Sequence, residues 1–114
     1  MRAGTRELPR PLAVIDAVAS VTNVSAAELR GRSRNYGLTL PRHIAMYLVS
    51  ELCGHSAVRT GELFGGRDHS SVLYGVKRVQ VLIQTCPEVR AIVEQARRVA
   101  CGPRGIFTPP WDGR

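Results

Sequence analysis

Residues 65–72 read Gly-Gly-Arg-Asp-His-Ser-Ser-Val. Two glycines, an arginine, an aspartate and two serines can cradle a nucleotide phosphate. The same residues can make a tight turn and the capped start of a helix. A phosphate loop needs GxxxxGK and then Ser or Thr, set between a strand and a helix. Here the glycines are adjacent, no lysine follows them directly, and the segment before them has helical character. The dinucleotide pattern GxGxxG is absent as well. The turn reading stands.

That reading gives a short helix at 57–63, a turn at 65–67 and a longer helix at 68–85, which is a helix-turn-helix spanning about 56–85. The second helix of such a unit lies in the major groove of DNA, and its first residues touch base edges. Here those residues are Asp68, His69, Ser70 and Ser71, with Arg67 in the turn before them. Asp68 can cap the helix or accept from a cytosine amino group. His69 can donate to or accept from a base edge, or stand in solvent. Ser70 and Ser71 can hydrogen-bond a base or phosphate, or serve the helix start alone. A helix start also offers free N–H groups and a positive dipole end to a phosphate.

A second set of residues points to the same chemistry. Arg30, Arg32, Arg34 and Arg42 occur with no acidic residue among them. Arg32 and Arg34 fall in a loop and can reach a minor groove, whose negative potential attracts arginine. Arg42 and His43 fall at a helix start, where a phosphate or a guanine can be met. Lys77 and Arg78, two turns into the long helix, are phosphate contacts or ordinary surface charges.

The elements that must position these groups are helical. Apolar residues recur at helical spacing from about residue 11 to 101, sustained period-2 alternation is missing, and the fold class is all-α with about six helices. Pro11 opens the first, about 11–22, with Leu12, Ile15, Val18 and Ala19 as its stripe. Ser25 and Glu28 form a capping box for the second, about 26–31, which ends at Gly31. Pro41 lies in the first turn of the third, and Gly54 stops it. Its inward residues are Ile44, Ala45, Leu48, Val49 and Leu52. Ser56 caps the fourth, which carries Val58 and Leu63. Asp68 caps the fifth, with Val72, Val76, Val79 and Ile83 inward and Leu73 and Leu82 alongside. Pro87 opens the sixth, which packs Val89, Ile92, Val93 and Ala96 and closes at Gly102.

The domain organisation follows: an arm over residues 1–10, a helical DNA-binding domain over 11–101, and a Pro/Gly-rich tail over 102–114. The tail holds three prolines and three glycines and should not be helical. Lys plus Arg total 16 against 9 acidic residues, a net charge of +7. Such an excess favours a polyanionic partner. No apolar run is long enough to span a membrane, and residues 1–12 lack the apolar core of a secretory signal. A cytoplasmic, nucleoid-associated location is expected. Cys53, Cys86 and Cys101 are odd in number and widely spaced, so free thiols are expected rather than a disulfide framework or a zinc site. No cofactor is called for. Nor is an enzyme, because paired carboxylates, a nucleophile–base set and a metal cluster are all missing. Adjacent helical residues such as His69 and Ser70 do not face each other.

Two stretches, LPRHIAMYLVSEL (40–52) and FGGRDHSSVLYGVKRV (64–79), carry a family resemblance. The chain resembles the C-terminal DNA-binding domain, domain IV, of the bacterial chromosomal replication initiator DnaA. That domain has a PRQIAMYL…EL helix and an FGGRDHTTVLHA segment at nearly this spacing. The likeness covers about residues 10–100. It implies an all-helical, TrpR-like fold that binds double-stranded DNA at a DnaA-box-like site in replication initiation or its regulation. It also implies a minor-groove role for Arg32 and Arg34. For Arg42, His43, Asp68, His69, Ser70 and Ser71 it implies contacts in the major groove. The departures are specific. Ser70 and Ser71 replace two threonines and lose the methyls that can press on thymine. His43 replaces a common glutamine, and Leu40 and Ser50 stand where basic residues are common. The stretch between Arg34 and Pro41 is about two residues longer than usual. No Walker motif precedes the domain, and Met1 with its arm favours a standalone relative over a piece of a longer protein. These departures, with Ile106, Phe107 and Trp111 in the tail, keep a second reading open. In it the chain is a regulator that binds a protein of the initiation machinery, either DnaA itself or an ATPase that inactivates it. Folding of that tail back over the core is its structural alternative.

Overall fold

The computed structural model describes residues 10–31 and 36–101. The expected arm at 1–9, Arg32 and Arg34 of the basic loop, and the tail at 102–114 lie outside the described residues, as does Gly102, the expected stop of the last helix. The described chain is all-α, with no strand among its residues.

Six helices run in the order α1 (Pro11–Thr22), α2 (Ala26–Arg30), α3 (Thr39–Cys53), α4 (Ala57–Leu63), α5 (His69–Thr85) and α6 (Pro87–Cys101), with a 3-10 turn at Tyr36–Leu38 leading into α3. Their ends follow local chemistry. Pro11 begins α1, where its missing N–H costs nothing. The α2 capping box is complete. Glu28 N–H donates to Ser25 Oγ at 3.0 Å, and Ser25 N–H donates to Glu28 Oε1 at 3.1 Å. Gly54 stops α3 in the left-handed region at φ 70°, which suits a residue without a Cβ.

α3 is the centre of the molecule. Ile44 to Val49 are buried without a break, so this helix is covered on every side rather than along one stripe. It packs against α1 and α5, while α6 closes the back of the bundle across α1 and α5. The core is one cluster built from Val14, Ile15 and Val18 of α1, the apolar residues of α3, Phe64, Val72, Val79 and Ile83, and Val89, Val93 and Ala96 of α6.

Three expected inward residues point out. Leu12 is 50 % exposed, Val58 57 % and Leu73 55 %. Val14 and Ala17 take the inner side of α1 instead. Val76, Leu82, Ile92 and Leu63 are half-buried at the edge of the core.

Candidate nucleic-acid interface

The turn between α4 and α5 is built from one plug and two glycines. Phe64 is fully buried and anchors the end of α4. Gly65 and Gly66 then take φ of 79° and 74°, which L side chains rarely adopt. The chain reverses, and Arg67 N–H donates to Gly61 O at 3.0 Å, closing the turn on α4. Gly61 has to be glycine for this closure, because a Cβ there would collide with the Arg67 carbonyl oxygen.

Asp68 is the N-cap of α5. Its Oδ2 accepts from Ser70 N–H at 3.1 Å, and its backbone carbonyl accepts from Ser71 N–H at 3.0 Å. The Ser70 hydrogen bonds, helped by the neighbouring His69, hold the Asp68 carboxyl below its ordinary range. The cap is therefore ionised at neutral pH. The other oxygen, Oδ1, lies 3.6 Å from His69 Nδ1, and both side chains are more than half exposed. Ser70 and Ser71 are exposed too. The helix start thus projects its polar side chains outward from a rigid cap. Ser70, Tyr74 and Lys77 continue one exposed stripe along α5 at i, i+4 and i+7.

The arginines behind this edge are tied into the fold. Arg42 is only 5 % exposed. Its Nε donates to Leu29 O at 2.9 Å and its Nη2 to Glu28 O at 2.8 Å. These are carbonyls at the C-terminal end of α2, where Glu28 O also accepts from Gly31 N–H at 3.3 Å. Arg42 is a buried strut that ties the start of α3 to the end of α2. Arg67, half-buried, donates from Nη2 to Gly31 O at 3.1 Å, and Arg30 Nε donates to Leu63 O at 3.0 Å. Gly31 is the last described residue before the basic loop. Arg67 therefore fastens the root of that loop to the helix-turn-helix turn.

His43, in the second turn of α3, is half-buried against α5. Its Nδ1 lies 3.2 Å from Arg78 Nη1, and its ring meets Tyr74 edge-on at 5.8 Å between centroids. Burial, then the charges of Arg78, Arg42 and Arg67, push its imidazole down to about 4. Burial and Arg67 likewise lower Arg42. Arg42, Arg67 and Arg78 thus surround His43 at one corner, where the start of α3 meets the first half of α5. Sequence reasoning missed the buried strut, the His43–Arg78 pair and Tyr74, which is 65 % exposed. For Tyr74 the signal was available, since it lies one turn beyond Ser70 and Ser71.

Among the described residues, no three His, Cys, Asp or Glu side chains gather as metal ligands. No described helix is long and apolar enough to cross a membrane. Cys53, Cys86 and Cys101 are half-buried, with no disulfide among the described residues.

A sequence profile described as the bacterial dnaA protein helix-turn-helix matches residues 11–79, from the start of α1 to the middle of α5. This chain belongs to the DnaA helix-turn-helix family. Among similar proteins is the chromosomal replication initiator protein DnaA of Thermus thermophilus, 43% identical over 91 residues, covering 80% of this chain and 21% of that protein. The DnaA of Thermomicrobium roseum is 44% identical over 92 residues, covering 81% of this chain and 20% of its own. That of Treponema pallidum is 41% identical over 78 residues, covering 68% and 17%. The chain spans about a fifth of the length of the curated DnaA relatives it matches. The matched span holds the whole α4–turn–α5 unit up to Val79, and with it Arg67 to Lys77.

Proposed function

We propose that this chain binds double-stranded DNA through the α4–turn–α5 unit, at a DnaA-box-like site, in replication initiation or its regulation. One observation carries the reading: the capped start of α5, Asp68 to Ser71, is exposed, and Arg42, Arg67 and Arg78 surround His43 where α3 meets the first half of the same helix. His69, Ser70 and Ser71 meet base edges in the major groove, while Asp68 caps the helix and offers Oδ1. Lys77 and Arg78 meet phosphates. Arg67 supports the turn and adds positive field, as Arg42 does from beneath. Arg32 and Arg34 form the minor-groove arm, rooted at Gly31. The domain so defined runs from residue 11 to 101, needs no cofactor, catalyses no reaction and works in the cytoplasm at the nucleoid. Serines in place of the family's threonines remove two methyls, so discrimination at thymine positions is weaker than in the threonine-bearing relatives.

The test is fluorescence anisotropy with a DnaA-box duplex and a scrambled duplex at two salt concentrations. The box duplex should bind more tightly, and affinity should fall with salt at a log–log slope of about −0.9 per phosphate neutralised. His69→Ala should lose about 1–3 kcal/mol of preference for the box. Equal affinity for the two duplexes would remove the sequence-specific reading. No binding to either would turn attention to a protein partner of the initiation machinery.

A further inference from the structure

We infer that His43 is a positioning residue, holding the Arg78 guanidinium where the recognition helix can present it to a DNA phosphate, and that Gly75 exists to admit its ring. The inference rests on the DNA-binding reading of α5 given above.

Three residues on one side of α5 grip this one side chain of α3. Tyr74 meets the ring edge-on, Arg78 lies at Nδ1, and Gly75 lies under the ring. A Cβ at Gly75 would sit 2.6 Å from His43 Cδ2 and 2.9 Å from Cγ, closer than real atoms approach. Gly75 is in the interior of a 17-residue helix, where glycine is the poorer choice and alanine the better helix former. Space for the imidazole is the reason visible in the structure for a glycine there.

The chemistry of the pair has one sense. Arginine only donates, so Nδ1 of His43 must accept and the ring proton must sit on Nε2. A protonated ring would turn a donor towards a cation. Burial and the surrounding arginines keep the ring neutral, as the bond requires. Arginine also loses much rotamer freedom when it is fixed. A guanidinium already held at Nδ1 loses less on meeting a phosphate, which is the advantage of preorganisation. Arg78 keeps further N–H donors for that phosphate.

The experiment combines a double-mutant cycle with two rescue variants, read as dissociation constants for the box duplex at two salt concentrations, with thermal melts as the folding control. His43→Leu should weaken binding roughly 5- to 10-fold, the scale of one ordinary net hydrogen bond. Gly75→Ala should weaken it by a similar factor at a temperature where its melt shows it folded. His43→Asn, which returns an acceptor at the δ position, should recover most of the loss. In an Arg78→Ala background, neither His43→Leu nor Gly75→Ala should weaken binding further. Wild-type affinity and salt slope in His43→Leu would overturn the inference alone, and so would losses that simply add to that of Arg78→Ala. A wild-type protein that binds neither duplex would overturn it together with the DNA-binding reading. A nitrogen-15 spectrum of the free protein with the His43 proton on Nδ1 would overturn it at its root.

Discussion

His43 is surrounded by positive charge, and its titration should be visible in the stability of the whole chain. In the unfolded chain it titrates near its ordinary 6.5, and in the fold near 4. Between those values the unfolded chain binds a proton that the native state refuses. The stability tied to this group is therefore complete above pH 6.5 and is lost as pH falls through 4. The ring is half-buried, so solvent screening makes the loss smaller than the full shift would give. Thermal melts from pH 7 to 4 should show a steeper decline for wild type than for His43→Gln, and parallel curves would contradict the burial of this ring. At this scale the sequence was half legible. Asp68, His69, Ser70 and Ser71 follow a glycine pair at a helix start, and that local pattern suffices to put them outside with Asp68 as the cap. Arg42 could not be read the same way. Its surroundings in the chain are those of any surface arginine, and the carbonyls of Glu28 and Leu29 that draw it inside are fourteen and thirteen residues away.

The turn is the element on which the helix-turn-helix depends, and Gly61 is its tightest point. Replacing a helical glycine by alanine ordinarily helps a helix by about 1 kcal/mol. Here the new methyl would strike the Arg67 carbonyl oxygen, which is backbone and cannot swing aside. The Arg67 N–H bond to Gly61 O and the Arg67 bond to Gly31 O lie at the same junction. Strain of about 1–3 kcal/mol from overpacking should outweigh the propensity gain. Gly61→Ala should melt lower than wild type and bind the box duplex more weakly, whereas the same change at a glycine with open space around it carries no such clash. A Gly61→Ala protein that melts higher would show that the turn can open without cost. Helix boundaries were legible from the chain because punctuation sets them: Pro11, the Ser25–Glu28 box, Gly54, Ser56, Asp68 and Pro87 each act within one turn. Helix faces were less so. Periodicity marks a stripe, but which edge of the stripe is covered depends on neighbours far along the chain. Leu12, Val58 and Leu73 are apolar residues at stripe edges that stay about half exposed.

Across the whole molecule, α3 divides two tasks along its length. Its first two turns hold Arg42 and His43 at the cationic corner. One and two turns later it holds Tyr47 and Glu51 against α6, where Arg97 Nη1 donates to Glu51 Oε1 at 2.6 Å and Tyr47 Oη donates to Oε2 at 3.3 Å. Burial, then the Glu51 charge, raises the Tyr47 phenol, so it remains a neutral donor. The Arg97 side chain is 4% exposed and that of Glu51 22%. A pair this buried is costly to break from one side, because the remaining charge keeps its desolvation penalty without its partner. Eight residues of helix, about 12 Å, separate Glu51 from His43. Stability and recognition should therefore come apart in mutants. Glu51→Ala should lower stability by about 3 kcal/mol, and pairing it with Arg97→Met should recover much of that by removing the stranded cation. At a temperature where all three proteins are folded, their affinities for the box duplex and their salt slopes should agree within about twofold, since sites this far apart with no shared partner act independently. Denaturant melts and anisotropy on the same samples decide it. Loss of affinity in step with loss of stability would mean that the back of the bundle sets the shape of the DNA-facing corner.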